Sequence, residues 1–115
     1  DMRKIEEKMV TALRTGRALN LANTCVAKRQ RVAGGYAQAV YLHGNEIARL
    51  EYNHPKAHEP YAIMGTLAGW GTVTTRSRLN AICREFTGQC RYHQAKGVQH
   101  FDDAPISTDE WQPIR

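Results

Sequence analysis

Leu79, Ile82, Cys83 and Phe86 fall at the i, i+3, i+4, i+7 spacing of one helical face, and Gly88 follows where a glycine commonly closes a helix. A segment with one narrow apolar stripe must lie on something apolar. The spacing therefore predicts an amphipathic helix, capped by Thr74 or Thr75, packed on a layer supplied by the rest of the chain.

That layer is written upstream as strands. Thr24 to Arg31 alternates small or apolar residues with basic ones, and Gly34-Gly35 marks a turn. Tyr36 to His43 and Glu46 to Asn53 are expected to form a hairpin around Gly44-Asn45. Asn53 to Glu59 reads as a loop, and Pro60 precedes a strand from Tyr61 to Ala68. After the amphipathic helix, Gln89 to Gln94 reads as a last strand, with a continuation past Gly97 to Phe101 left open. Residues 2–16 read as a first helix, with Ile5, Met9, Ala12 and Leu13 inward, Glu6-Glu7 on a solvated face and Gly16 as its end. Leu19 to Asn23 extends that helix or forms a loop. The expected order is α-β-β-β-β-α-β. The fold class is thus α+β, a mainly antiparallel sheet of four to five strands with two helices on one face.

A length of 115 residues is one domain. Residues 1–101 carry 15 basic against 7 acidic side chains, whereas 102–115 carry one against four. The expected organisation is a basic domain over 1–101 and an acidic tail over 102–115, loosely ordered, with Trp111 as its anchor. A basic domain draws phosphate-rich or acidic partners. No apolar run reaches the roughly 18 residues of a membrane span, and the start lacks the apolar core of a secretory signal. Asp1 ahead of Met2 reads as a cloning remnant. Three cysteines, an odd and sparse set, suit a reducing compartment.

The densest chemistry lies in Gly69-Trp70-Gly71-Thr72-Val73-Thr74-Thr75-Arg76-Ser77-Arg78-Leu79-Asn80. Hydroxyls, Asn80 and two arginines at a helix start suit a phosphate or an acidic side chain. Trp70, Thr74, Thr75, Arg76, Arg78 and Asn80, with the basic cluster Lys28, Arg29 and Arg31, form the expected contact surface. The rival reading is a capped helix whose threonines satisfy their own backbone and whose arginines pair with Glu85 or Glu51. No phosphate-loop lysine follows the glycines. Cys83, Cys90 and His93 have the wrong spacing for a zinc knuckle and read as free thiols beside a histidine, while His54 and His58 sit in a proline-flanked loop. No metal, cofactor or catalytic residue is expected. Tyrosines beside arginines on a sheet are also the material for stacking single-stranded bases.

Three stretches carry a resemblance: Met2-Arg3-Lys4-Ile5-Glu6-Glu7-Lys8-Met9, Leu42-His43-Gly44-Asn45-Glu46-Ile47-Ala48, and Trp70 through Ala81. Together they resemble a group of small accessory proteins of tailed bacteriophages, including T7-like ones. The likeness covers most of residues 2–86, and nothing beyond residue 88 takes part in it. It implies a phage accessory protein acting stoichiometrically in the host cytoplasm, with no catalytic residue to carry over.

Three functions follow as expectations. The first is a non-enzymatic binding protein acting on a host protein or ribonucleoprotein complex, as an anti-defence (for example anti-CRISPR-like) inhibitor or host-takeover factor. The second is direct binding of DNA or RNA by a basic surface at the start of the second helix. Its element order is similar to the double-stranded-RNA-binding domain, but with an extra strand and without that domain's lysine-rich helix start. The third is a small metal-dependent enzyme. No membrane partner is expected, and an exposed edge strand leaves a homodimer open.

Overall fold

The computed structural model describes residues 2–115. Asp1, read above as a cloning remnant, lies outside the described residues. Helix α1 spans Lys4–Thr15 and buries Met9, Val10, Ala12 and Leu13. The Glu6 carboxylate accepts from the Arg3 N–H at 3.2 Å, closing the helix start, and Gly16 ends it at φ 75°. Two short strands follow, β1 (Leu19–Leu21) and β2 (Thr24–Val26), joined through Ala22 and Asn23. Next come β3 (Gln30–Val32), β4 (Gly35–Leu42), β5 (Asn45–Tyr52) and β6 (Ala62–Thr66). Helix α2 spans Val73–Thr87. The chain closes with β7 (Tyr92–Ala95), β8 (Val98–Phe101), β9 (Ala104–Pro105) and β10 (Trp111–Pro113).

The fold is α+β. Its main sheet has seven strands, all paired antiparallel, in the order β1-β2-β4-β5-β6-β10, with β3 continuing beside β4 past the end of β2. A small second sheet holds β7, β8 and β9. There are more strands than the four or five expected, because several have only two to four residues and leave little periodic trace.

Pleating puts Gln38, Val40, Leu50, Ala48, Ile63 and Gly65 on one face, and both helices pack there. A β-bulge at Ile47 opposite Val40 and Tyr41 breaks the alternation, so Ile47 and its neighbour Ala48 both enter the core. The turn between β4 and β5 is His43-Gly44, with φ 51° and 80°, one residue earlier than Gly44-Asn45. Asn45 instead opens β5 opposite Leu42.

The single strand expected over Thr24 to Arg31 is interrupted at residues 27–29, and there Arg29 turns inward. Its Nη2 donates to Leu13 O at 2.7 Å and its Nη1 to Pro55 O and Ala57 O at 2.9 and 2.7 Å. Its guanidinium lies 3.5 Å over the Tyr52 ring. Gln38, also buried, accepts from Arg29 Nε and donates to Ala27 O and Arg17 O. Carbonyls at the end of α1 and in the broken strand are thereby satisfied by long side chains.

Residues 102–115 are tied to the sheets through β9 and β10. β10 pairs with β6, Ile114 is buried beside Gly65, and Arg91 Nη1 donates to Ile114 O at 2.6 Å. Trp111, read from sequence as the anchor of this stretch, is 42% exposed. Its strand position turns it to the face opposite Gln112 and the core.

Candidate functional site

The chain enters α2 through a constrained loop. Ala68 and Gly69 both have positive φ, the Trp70 N–H donates to Leu67 O, and the Gly69 N–H donates to Thr108 O at 2.7 Å. Thr72, not Thr74 or Thr75, is the N-cap: its hydroxyl oxygen accepts from the Thr75 N–H at 3.2 Å and meets the Thr75 hydroxyl at 2.8 Å. Thr75 is buried and Thr74 half-buried. The threonines thus satisfy the helix's own start.

The arginines expected beside them divide. Arg78 is buried, its Nη1 on Glu6 Oε2 at 2.7 Å and its Nε on Thr24 Oγ1 at 3.0 Å. Glu6, read from sequence as solvated, is therefore an interior acid at 2% exposure. Arg76 is half-buried, and its Nη1 donates to Gly71 O, Gln94 Oε1 and Gln99 Oε1 at 3.0 to 3.1 Å. Asn80 accepts from the Arg91 and Tyr92 N–H groups and donates to Tyr92 O, so it fixes the start of β7. Arg29 is internal, as described, while Lys28 and Arg31 are exposed. The continuous basic face is therefore not formed. Arg78 and Arg29 bind the protein's own groups: Arg78 pairs internally, as the capped-helix reading had it, but with Glu6 and not Glu85 or Glu51, and the partners of both lie far away in the chain.

The large side chains most open to solvent at the helix start are apolar. Trp70 is 58% exposed and Val73 65%. Beside Trp70 lies a groove of about 470 Å³ between the β4–β5 turn and α2. Leu42 and Ile47 line it from below, and His43, Asn45, Thr72 and Thr74 from the sides. Leu42 and Ile47 were not among the expected contact residues, because only the bulge brings Ile47 to the same wall as Leu42. Such a site offers apolar contact and neutral hydrogen bonds to a partner; none of its lining residues is an acid paired with a base.

The remaining reactive side chains are dispersed. Burial pushes the Cys83 thiol up to about 12, whereas Cys90 is exposed and takes a hydrogen bond from Arg84 Nη2 at 3.1 Å. His93 and His100 stack ring on ring across β7 and β8, 5.0 Å between centroids. His54 and His58 lie in the loop before β6. Among the described residues no group of three or more His, Cys, Asp or Glu side chains is placed to hold a metal ion.

The family model described as Kyanoviridae Gp96 protein matches residues 2–113, nearly the whole chain. No curated protein and no solved structure matches. The match supports a phage family but corrects the T7-like assignment, since Kyanoviridae are cyanophage myoviruses. It also spans the residues beyond 88 that took no part in the resemblance. Among the described residues no helix is long and apolar enough to cross a membrane.

Proposed function

The chain belongs to the Kyanoviridae Gp96 protein family, a phage family, and on that footing we propose that it is a non-enzymatic accessory protein that binds one host partner stoichiometrically. The partner in this reading is a protein or ribonucleoprotein of the host's nucleic-acid-handling or defence machinery, met in the host cytoplasm. The contact is the groove at the start of α2, with Trp70 as its anchor.

The observation that carries this reading is a largely exposed tryptophan beside an apolar-floored groove, on a loop pinned by backbone hydrogen bonds. Large aromatics standing over a pocket are the residues that concentrate binding energy at protein interfaces. A rigid loop gives up little entropy on docking. Burying the arginines turns the expected chemistry from phosphate recognition towards apolar contact.

The test is capture from cyanobacterial host lysate by the wild type and by Trp70→Ala. The reading expects one partner retained in a one-to-one ratio and lost with Trp70→Ala, the variant keeping the wild-type melting temperature. Equal capture by both proteins moves the contact elsewhere, and capture of nothing by either removes the binding reading.

Direct binding of DNA or RNA is the second reading, favoured by the exposed Lys28 and Arg31. A gel shift at low and high salt separates the two, since phosphate-driven binding weakens steeply with salt.

A further inference from the structure

A second groove, of about 510 Å³, runs between α1 and β1, away from Trp70. One wall is the α1 stripe Lys4, Lys8, Thr11 and Thr15, which sit at helical spacing on one exposed face. The other wall is Arg17, Ala18 and Leu19, entering β1. We propose that this groove receives an extended acidic segment of a partner protein, which adds to the main sheet as a strand beside β1.

Three observations carry the proposal. The first is the open edge. β1 is the terminal strand of the main sheet, with β2 on one side only. Leu21 and Thr24 close a two-residue turn and form the pair that exchanges hydrogen bonds, so the Asn20 N–H and C=O point away from β2. A strand edge beside a helix is the arrangement that takes a peptide by strand addition.

The second is charge. Lys4, Lys8 and Arg17 line the groove against one acid, Glu7. Among the described residues none of these three cations forms an ion pair. The Thr11 and Thr15 hydroxyls already donate to Glu7 O and Thr11 O, so the groove's free donors are its cations. A carboxylate is the group they match.

The third is the floor. Ala12, Ala18 and Leu19 are apolar, and the groove holds no aromatic ring. A strand presents alternate side chains to opposite sides. A strand added beside β1 turns one row of side chains toward α1, so a segment with acidic residues in that row would set them against the cations beside this floor. Nucleic-acid bases would find nothing to stack on. The stripe from Lys4 to Thr15 is roughly 16 Å long at 1.5 Å per residue, which takes about five residues of extended chain.

The probe is a fluorescent octapeptide of alternating glutamate and valine, followed by anisotropy. It is expected to bind the wild type, and to bind about tenfold more weakly when Lys8→Glu is combined with Arg17→Glu, two exposed positions. N-methylation of alternate peptide amides is expected to weaken binding by a similar factor, because it removes the hydrogen bonds to the Asn20 edge. Trp70→Ala is expected to leave the affinity unchanged, which keeps this groove distinct from the one proposed above. Equal binding of the N-methylated peptide overturns strand addition, and no binding overturns the site. Displacement of the peptide by duplex DNA, with the same loss in the charge-reversed variant, would make the groove a nucleic-acid surface instead.

Discussion

Glu6 Oε2 and Arg78 Nη1 meet at 2.7 Å between the two helices, their side chains 3% and 8% exposed. Ser77 Oγ adds a hydrogen bond to the same carboxylate oxygen at 2.6 Å, and Thr24 receives the other arm of the arginine. The contact ties α1, α2 and β2 together. Removing one partner leaves the other charge buried and unpaired. Arg78→Ala is therefore expected to cost about 3–5 kcal/mol in urea unfolding, and Glu6→Leu with Arg78→Met to recover most of it. A single variant within about 1 kcal/mol of wild type would mean that water reaches the pair.

Gly65 sits where the sheet, α2 and the last strand converge. A Cβ there would lie 2.7 Å from Ile114 Cδ1, 2.8 Å from Tyr92 Oη and 3.2 Å from Leu79 Cδ2. Tyr92 has little freedom to retreat, since its hydroxyl is hydrogen-bonded to Gln112 Oε1 at 2.9 Å. Gly65→Ala is expected to lower stability by about 1–3 kcal/mol through overpacking, measured as a fall in the urea midpoint at constant slope. A neutral result would show that Ile114 can give way.

Glu59 joins three parts of the chain. Arg115 and then Arg14 hydrogen-bond its carboxylate and hold its pKa below the ordinary 4.5. A depressed folded-state value means that the unfolded chain binds the proton more readily. The contribution is present above about pH 4.5 and is lost as pH falls through the folded value. The side chain is 58% exposed, so screening limits the effect to about 1 kcal/mol or less. Asp102, held low by Arg91, adds a contribution of the same sign. Glu59→Gln is expected to flatten the acid limb of stability against pH; an unchanged slope would assign that limb to other carboxylates.

The three thiols should separate by rate. Cys90 is exposed, Cys25 half-buried, and Cys83 buried with its pKa pushed up to about 12. Ellman's reagent on the native protein is expected to show one fast thiol, abolished by Cys90→Ser, and to reach Cys83 only on unfolding. Rapid labelling of Cys83 in native conditions would show that the α2 packing opens.

Elements were legible where local chemistry decided them. Leu79, Ile82, Cys83 and Phe86 are all buried on α2, and Gly16 and Gly88 close the two helices as expected. The long hairpin was visible from its turn residues, although its bulge at Ile47 was not. Of the candidate site, Trp70, Thr74 and Thr75 were legible, and the walls from β4 and β5 were not. Arg78 was read as a surface cation because charge is ordinarily exposed, and its partner Glu6 lies 72 residues away. The same holds for Arg29, which meets carbonyls of Leu13, Pro55 and Ala57. Thr72 became the cap instead of Thr74 because the Gly69 turn starts the helix sooner. β10 escaped notice because three residues ending in a proline carry no strand signal of their own.

The placement of β10 beside β6 has a consequence for how the protein is made. A ribosome makes β6 well before β10, so until the last residues are made the outer side of β6 has no neighbour and Gly65 is uncovered by Ile114. Until β10 arrives, the vacant position is one that the same strand of a second copy could fill. Late arrival of the closing strand thereby sets a race between self-completion and exchange, which dilution or faster synthesis would tilt toward the monomer.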